Sequence, residues 1–581
     1  MTLRAAPARL TTLLLTVLVA AGALSAQGQR FRGIGLWGPV GEGPLPGAFP
    51  FDEMKGPYMP TPEEMRKRLA AEERHWTAWW YMRGEDLMLE PAEGARTAVP
   101  TKLRAALEKE IRAAAKHPSP EVRRAAAFAL GRAGMRADVE LVRDLIRDED
   151  RETRRLATLA LGLVGDVGDY RFLRALAEAS LSSIYTYDPQ RAAAMLAGEE
   201  LARRLGAAVP EKEVAKFRAV YRAALVIPRE DGLDGVETTI AALAIHARRP
   251  DAEAGEAVRA LAAHPKVDRW IRAAALRALG AGGGEFAEAT LLDALDESAA
   301  DLRAAALDGL ALGRAHIGEE QRARLLRVVR GDPHMVPRIL AAGVLTHRAP
   351  LESAEFIDRI GDASMVETIV WALAFGFERA PIWNADIPRR LAAALRPLVE
   401  QAKAPDVATA AGLALARLGY PEDRARLRAR FDRGGAASML GLYALALGAV
   451  GDEKARGVVR DLALDRGDLE RRRDAILGLA RLGGDETRLA RLLDERQPAR
   501  HLLGAVAQGF GLAPDAAAAA GALMSTEAFS GEEVEPVRHA FAIAAAGATL
   551  DAGEGRPYAV YRRGSWALRC SGFERELARL P

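Results

Sequence analysis

The sequence has a single cysteine, few aromatic residues and almost no net charge. Cys570 is the only cysteine in 581 residues, so the chain can form no internal disulfide. Lys and Arg number 81 against 79 Asp and Glu, so the overall positive field typical of nucleic-acid-binding proteins is missing. Aromatic residues make up 6% of the chain. Most stretches of the sequence are instead rich in alanine and leucine, which are strong helix formers. We therefore expect a helical protein that does not bind nucleic acid and is stabilised by packing alone.

The sequence also lacks an apolar run long enough to span a membrane. The longest, Leu10 to Leu24, is shorter than the roughly 20 residues a spanning helix needs. It follows the positive residues Arg4 and Arg9 and precedes a small residue, Ala26, which is the pattern of a signal peptide. We predict a signal peptide at residues 1–26, a periplasmic or extracellular location, and no membrane span in the mature chain. Cleavage after residue 23 is the alternative.

Catalytic motifs are scarce. Residues 27–60 are rich in glycine and proline and predict an irregular lead-in. Residues 33–38 spell a dinucleotide-binding fingerprint, but no strand precedes them and no helix can follow, since Pro39 comes next. The nine histidines are scattered and none precedes a glutamate. The sequence therefore predicts no catalytic residue, no cofactor-binding residue and no metal ligand.

What the sequence has in abundance is a repeat. The segment 122–131 returns at 153–162, and 271–280 returns from 302, each after 31 residues. A fixed period of this size predicts stacked helical hairpins, because each hairpin leaves an apolar face that only its neighbours bury. One register always holds alanine, which predicts a close approach of helices there: Ala126, Ala157, Ala275 and Ala306. Gly131 and Gly162 are predicted to let the chain turn.

The repeat resembles the HEAT-like repeat named after the phycobilisome lyases. In that pattern an acid-rich turn is followed by Val-Arg, alanines and Ala-Leu-Gly, and residues 117–131 and 148–162 match it closely. The resemblance implies an all-α fold, an α-solenoid (α-α superhelix) of stacked hairpins, which we expect over residues 101–550 with a C-terminal cap at 551–581. It also leaves open an enzymatic alternative, a bilin lyase, although that reaction is not one of exported proteins.

Arginines recur one position after the predicted start of the second helix of a hairpin: Arg123, Arg154, Arg272, Arg303, Arg338 and Arg472. Acids such as Asp148, Glu297 and Asp332 stand in the turns before several of them. Two interpretations fit: a cationic row that grips an acidic partner, or an internal ladder of ion pairs between repeats. Because arginine suits bidentate pairing with carboxylates, we favour the ladder.

Three tryptophans precede the repeats. Trp76, Trp79 and Trp80 would share one face of a helix, and a first repeat without a preceding neighbour needs a cap. We predict a Trp-rich N-terminal capping helix and turn at residues 61–100, with an aromatic ligand platform as the alternative. Exported bacterial HEAT-repeat proteins look similar here. Two aromatic, proline-bearing stretches, 182–189 and 381–388, predict longer loops that could form a binding edge.

The functional expectation is an exported scaffold that binds an unknown protein partner on its concave face and performs no catalysis. A self-assembling structural component of the cell envelope is the alternative.

The signal segment gives the first testable prediction. Intact-mass measurement of the exported protein should find a chain that lacks residues 1–26, because the positive leader, short apolar stretch and small residues together direct cleavage. An exported chain that retains the segment would show an uncleaved anchor instead.

Overall fold

The computed structural model describes most of the chain between residues 97 and 550. The described ranges are 97–179, 188–225, 235–282, 285–313, 318–332, 335–348, 386–402, 405–418, 420–433, 437–465, 469–495, 500–529 and 535–550. Within them every regular element is a helix, so the all-α expectation is confirmed.

The described helices pair into twelve antiparallel hairpins, each made of an odd-numbered helix and the even-numbered helix that follows it. In chain order they are α1 Thr101–Ala114, α2 Pro120–Arg132, α3 Val139–Leu145, α4 Arg151–Val164, α5 Val167–Glu178, α6 Asp188–Leu205, α7 Glu211–Ala224, α8 Val236–Arg248, α9 Gly255–Ala263, α10 Arg269–Gly282, α11 Glu285–Asp293, α12 Ala300–Leu312, α13 Glu319–Gly331, α14 Met335–Arg348, α15 Asp386–Gln401, α16 Pro405–Leu418, α17 Asp423–Asp432, α18 Ala437–Ala449, α19 Arg456–Leu464, α20 Leu469–Leu482, α21 Glu486–Asp494, α22 Arg500–Leu512, α23 Ala516–Met524 and α24 Pro536–Leu550.

Local signals in the sequence set the helix ends. Asp150 caps α4 by accepting a hydrogen bond from the backbone N–H of Thr153, and Asp166 and Asp169 form a capping box at the start of α5. Between hairpins the chain reverses at Gly134 and Gly451, both with φ of +64°, a backbone conformation that residues with a Cβ rarely adopt. These caps and turns make each hairpin a locally determined unit.

Apart from α14 and α16, which residues outside the described ranges separate, consecutive even-numbered helices pack along their length, while consecutive odd-numbered helices touch far less. The alanines predicted to lie at close contacts, Ala126, Ala157, Ala275 and Ala306, are all fully buried, as the repeat register required. The even-numbered helices therefore form the tighter inner layer of the array, and the odd-numbered helices form the outer layer.

Two glycines have a different role from the one predicted. Gly131 and Gly162 do not turn the chain; they lie inside α2 and α4. A Cβ on Gly131 would come within 2.9 Å of the Ala160 Cβ, and a Cβ on Gly162 within 2.7 Å of the Ala197 Cα. They are small because the next even-numbered helix approaches to backbone contact, not because the backbone needs an unusual φ.

The array closes on itself. Helix α24 packs against α2 as closely as consecutive even-numbered helices pack elsewhere, and α23 packs against α1. A Cβ on Gly547 of α24 would lie 2.6 Å from the Cα of Ala129 in α2. The last described hairpin therefore lies beside the first, and we call this closed array, whose residues 349–385 lie outside the described ranges, the ring. We call the joint between α1–α2 and α23–α24 the seam.

Closure removes the premise of the predicted N-terminal cap. The first hairpin does have a neighbour on its preceding side, namely α23 and α24. The expectation that this edge is bare and needs covering is therefore wrong. The tryptophan segment itself, with Trp76, Trp79 and Trp80, lies outside the described residues.

Backbone contact between inner helices predicts a large effect from a single methyl group. A Cβ on Gly280 of α10 would lie 2.0 Å from the carbonyl oxygen of Gly309 in α12, so Gly280→Ala must push two helices apart. We expect a loss of about 1–3 kcal/mol, measured by thermal unfolding.

The matched control is Gly331→Ala at the end of helix α13, where a Cβ would meet nothing within 4 Å. It should leave the protein as stable or slightly more stable, because alanine is the better helix former by up to about 1 kcal/mol. Equal effects of the two substitutions would contradict the inner-layer packing.

Candidate functional site

The recurrent arginines join neighbouring hairpins. Arg123 of α2 makes a bidentate pair with Asp148 in the turn of the next hairpin, with Nε to Oδ2 at 2.7 Å and Nη2 to Oδ1 at 2.9 Å. Its third nitrogen, Nη1, donates to the carbonyl oxygens of His117 and Pro118, in the turn of its own hairpin. One guanidinium therefore caps one hairpin and fastens it to the next.

The same arrangement recurs along the array. Arg303 of α12 pairs with Asp332 of the next turn at 2.7 and 2.9 Å and donates to two carbonyl oxygens of its own turn. Arg272 donates to Glu297 at 2.6 Å. The remaining members bind main-chain carbonyl oxygens of their own hairpins: Arg154, Arg338 and Arg472. The internal ladder that we favoured is confirmed at Arg123, Arg272 and Arg303, and Arg472 also lies 3.8 Å from Glu495 of the next hairpin.

A second ladder, which the sequence analysis missed, joins the outer helices. Each member runs from an odd-numbered helix to the start of the next odd-numbered helix, and several are bidentate. Its pairs are Arg112–Asp138, Arg143–Asp169, Arg222–Asp251, Arg396–Asp423 and Arg428–Asp452, with closest N–O distances of 2.7 to 2.8 Å. For one member the sequence held a signal, because Asp452 directly follows Gly451 after the even-numbered helix α18.

The ladders fix the charge state of their members. Burial alone would raise the pKa of Asp150, but hydrogen bonds from Arg124 and Thr153 and the charge of Arg124 outweigh it, so the pKa lies below its ordinary value. The pKa of Asp251 is lowered in the same way. Burial would raise this pKa, but the hydrogen bonds from Tyr221 and Arg222 lower it by more. Because these carboxyl groups are more acidic in the folded chain, their stabilisation is complete above about pH 4 and is lost below it.

The inner circumference of the ring carries paired charges. The face of α2 and α4 opposite the odd-numbered helices holds Arg124 and Arg155, which pair with Asp150 at 2.5 Å and with Glu152 at 2.6 Å. The equivalent face of α10 and α12 holds the buried pair of Arg277 and Asp308. Each of these arginines is matched by an acid beside it, and all three are buried within the inner layer.

The seam has its own polar contacts. The backbone N–H of Thr97 donates to the Pro514 carbonyl oxygen at 3.1 Å, and its hydroxyl donates to Asp515 at 2.7 Å. Arg104 donates to the carbonyl oxygen of Leu550, the last residue of α24. Residues before α1 and at the end of α24 therefore cross the joint.

Two histidines meet at the seam, edge to face, with ring centroids 5.2 Å apart: His117 of the α1–α2 turn and His539 of α24. Burial, together with the nearby His117, lowers the pKa of His539 to about 4. Burial also lowers the pKa of His117, assisted by the charge of Arg123. His117 is therefore not a freely solvated turn residue, because His539 of α24 packs against its ring.

Other candidate sites offer no convergent chemistry in the described part of the chain. A cavity of about 430 Å³ between α5 and α7 is lined by Arg174 and Lys216 over an apolar floor, but both cations pair with neighbouring glutamates. A second cavity, of about 290 Å³, lies beside the pair of Arg303 and Asp332. Among the described residues, no three His, Cys, Asp or Glu side chains are grouped to hold a metal ion. None of the described helices combines the length and apolarity that crossing a bilayer demands.

Several expectations concern residues outside the described ranges. The signal peptide at 1–26, the lead-in at 27–60, the glycine pattern at 33–38 and the C-terminal segment 551–581 are among them. Of the two aromatic stretches, only the ends are described: residues 188–189 begin α6, and residues 386–388 begin α15.

Comparison with known proteins identifies the repeat. Residues 108–197 match the family described as HEAT repeats. No curated protein matches the chain.

Solved structures to which the chain is similar include Kap95p in complex with RanGDP, at 13% identity and a TM-score of 0.28, over 75% of this chain and 62% of that one. A Kap121p mutant is similar at 13% identity and a TM-score of 0.31, over 78% and 56%. An engineered protein is similar at 17% identity and a TM-score of 0.20, over 71% and 98%. The chain thus spans about three-fifths of the two Kap chains, and at such TM-scores the similarity carries no argument about function.

The first ladder predicts that Arg303→Met is strongly destabilising. Asp332, with 4% of its side chain exposed, would be left as a buried charge without its arginine, which costs about 3–5 kcal/mol. Hydrogen exchange should show the loss as a lower opening free energy in residues 297–332.

Arg460→Met is the control, because Arg460 pairs only with the largely exposed Asp461. Its effect should stay within about 0.5 kcal/mol. Unchanged exchange in Arg303→Met would show that the ladder does not hold the hairpins together.

Proposed function

The chain is a HEAT-repeat protein, and we propose that it is an exported scaffold that binds another protein on the inner circumference of its ring and catalyses no reaction. Export rests on the signal pattern of residues 1–26. The binding role rests on the repeat architecture, in which neighbours bury each other and leave an extended curved surface for a partner.

The observation that carries the proposal is the use of charge in the described residues. The ladder arginines pair with acidic residues of the chain itself, and these pairs hold neighbouring hairpins together. The ladder arginines therefore do not form a cationic surface for an acidic partner. Arg124 and Arg155 of the inner helices are likewise occupied by acids of the chain, so they too offer no cationic surface to an acidic partner. A nucleic acid, which needs a continuous positive surface, is a poor match.

Closure also bears on the alternative of a self-assembling envelope component. Head-to-tail growth of a repeat array needs a free edge on its first and last repeats. In the ring these two edges cover each other, with Gly547 against Ala129. The ring thus favours a discrete scaffold over a growing filament.

Site-specific photocrosslinking tests the proposal. Benzoylphenylalanine at Glu152, which lies beside Arg155 on α4 and keeps part of its side chain exposed, should crosslink one protein partner in cells that export the chain. The same group at Phe172 on the outer helix α5, where 40% of the side chain is exposed, should not.

A partner captured only through position 172 would move the binding surface to the outside of the ring. Absence of any protein adduct at either position, with the protein folded and exported, would overturn the scaffold proposal.

A further inference from the structure

The seam joins two hairpins that lie at opposite ends of the described array. Elsewhere in the described ranges, apart from the interval 349–385, a short connection holds each hairpin beside the next, as between α2 and α3. At the seam, residues 97–132 meet residues 514–529 and 535–550 through packing and a few hydrogen bonds, without a short connection. Opening there breaks one interface and leaves every hairpin intact.

Two imidazoles lie within this interface. His117 accepts a hydrogen bond at Nδ1 from the backbone N–H of Ser119, at 3.1 Å, which fixes it in a neutral form with its proton on Nε2. Its ring meets that of His539, and the Phe529 ring also lies near His539, with ring centroids 6.4 Å apart and the planes nearly perpendicular. His539 therefore contacts two aromatic rings.

The charged groups around the pair leave it without a carboxylate partner among the described residues. Arg123 lies nearest to His117 and adds a positive charge. On the side of α24, Arg538 donates to the carbonyl oxygen of Leu493 and lies 3.6 Å from Asp494. Asp494 also accepts a hydrogen bond from the backbone N–H of Ala528. Glu535 contacts His539 through its main-chain carbonyl oxygen, which accepts a hydrogen bond from the backbone N–H of His539.

From this geometry we infer that the seam is an acid-sensitive gate: protonation of the histidine pair opens the ring between α2 and α24 while the hairpins stay folded. A proton on either imidazole places a cation beside the other ring, near Arg123, in a partly desolvated joint. When the seam opens, both imidazoles reach water and bind protons freely. The inference concerns the ring itself and does not rest on the proposed scaffold function.

The sign and the pH window follow from linkage. The pKa of His539 is about 4 in the closed ring against an ordinary value of 6.5, so the open form binds more protons between these two values. Closure is complete above about pH 6.5 and weakens as the pH falls towards 4. At pH 4.5 the ratio of open to closed ring should exceed its value at pH 7.5 by roughly 70-fold from His539 alone. The pKa values of the ion-paired Asp150 and Asp251 are lowered from their ordinary value of 3.8, so these two carboxylates stay charged throughout this window.

Energy transfer between two dyes tests the gate. In a Cys570→Ser chain, dyes at Lys116→Cys and Glu535→Cys face each other across the seam, and dyes at Lys116→Cys and Arg147→Cys span an ordinary joint. We expect transfer across the seam to fall reversibly between pH 6.5 and 4.5, with constant helical circular dichroism and constant transfer across the ordinary joint.

Variants identify the group that titrates. His539→Phe keeps a ring of similar size beside Phe529 and should hold the seam closed to below pH 4, and His117→Gln keeps an acceptor for Ser119 and should lower the midpoint. The matched control is His264→Phe, since His264 has the same turn geometry, with Nδ1 accepting from the Lys266 N–H at 3.3 Å, but lies away from the seam.

A wild-type seam that stays closed at pH 4.5 would overturn the gate. So would a midpoint that is the same in the wild type, His539→Phe and His117→Gln, or a loss of helix that accompanies opening.

Discussion

Backbone-to-backbone contact between consecutive inner helices is the constraint on which the rest of the structure depends. Where Gly280 faces Gly309, or Gly547 faces Ala129, no larger side chain fits. Such contacts bring the even-numbered helices closer together than the odd-numbered ones, which bends the array towards its even side. Bending repeated at every joint brings the last hairpin back to the first. The small residues that mark the repeat in the sequence are therefore also what closes the ring.

The two arginine ladders stabilise this packing at different places. One ladder connects each hairpin to the turn of the next hairpin, as Arg123 does with Asp148. The other ladder connects consecutive outer helices, as Arg143 does with Asp169. Both use bidentate arginine, whose planar fork fixes orientation as well as distance. The outer helices touch little, so an ion pair that spans them limits how far they can separate. A ring with both ladders intact has a defined curvature and a surface that is nearly neutral over short distances.

The seam differs from the other joints in chemistry. Elsewhere many of the polar links are ion pairs, and those of Asp150 and Asp251 lower the pKa of the carboxyl group. At the seam, Thr97 and Asp515 make one hydrogen bond, and two histidine rings meet in the joint. We therefore expect acidification to act on the seam before it acts on the ion pairs of Asp150 and Asp251. A ring that opens at one place changes which partners can reach its inner wall without any repeat having to unfold.

The sequence by itself determined the helical fold, the 31-residue period, the buried alanines such as Ala157, and the ladder of Arg123, because each depends on contacts between adjacent repeats that every copy of the pattern encodes. It did not determine the role of Gly162, the second ladder or the contact of His117 with His539. The sequence also did not determine closure of the array, because curvature is the sum of small rotations at many joints and no single repeat specifies that sum. Only the tertiary structure decided that residues more than 400 positions apart meet. That contact in turn decided that the first hairpin has no bare edge.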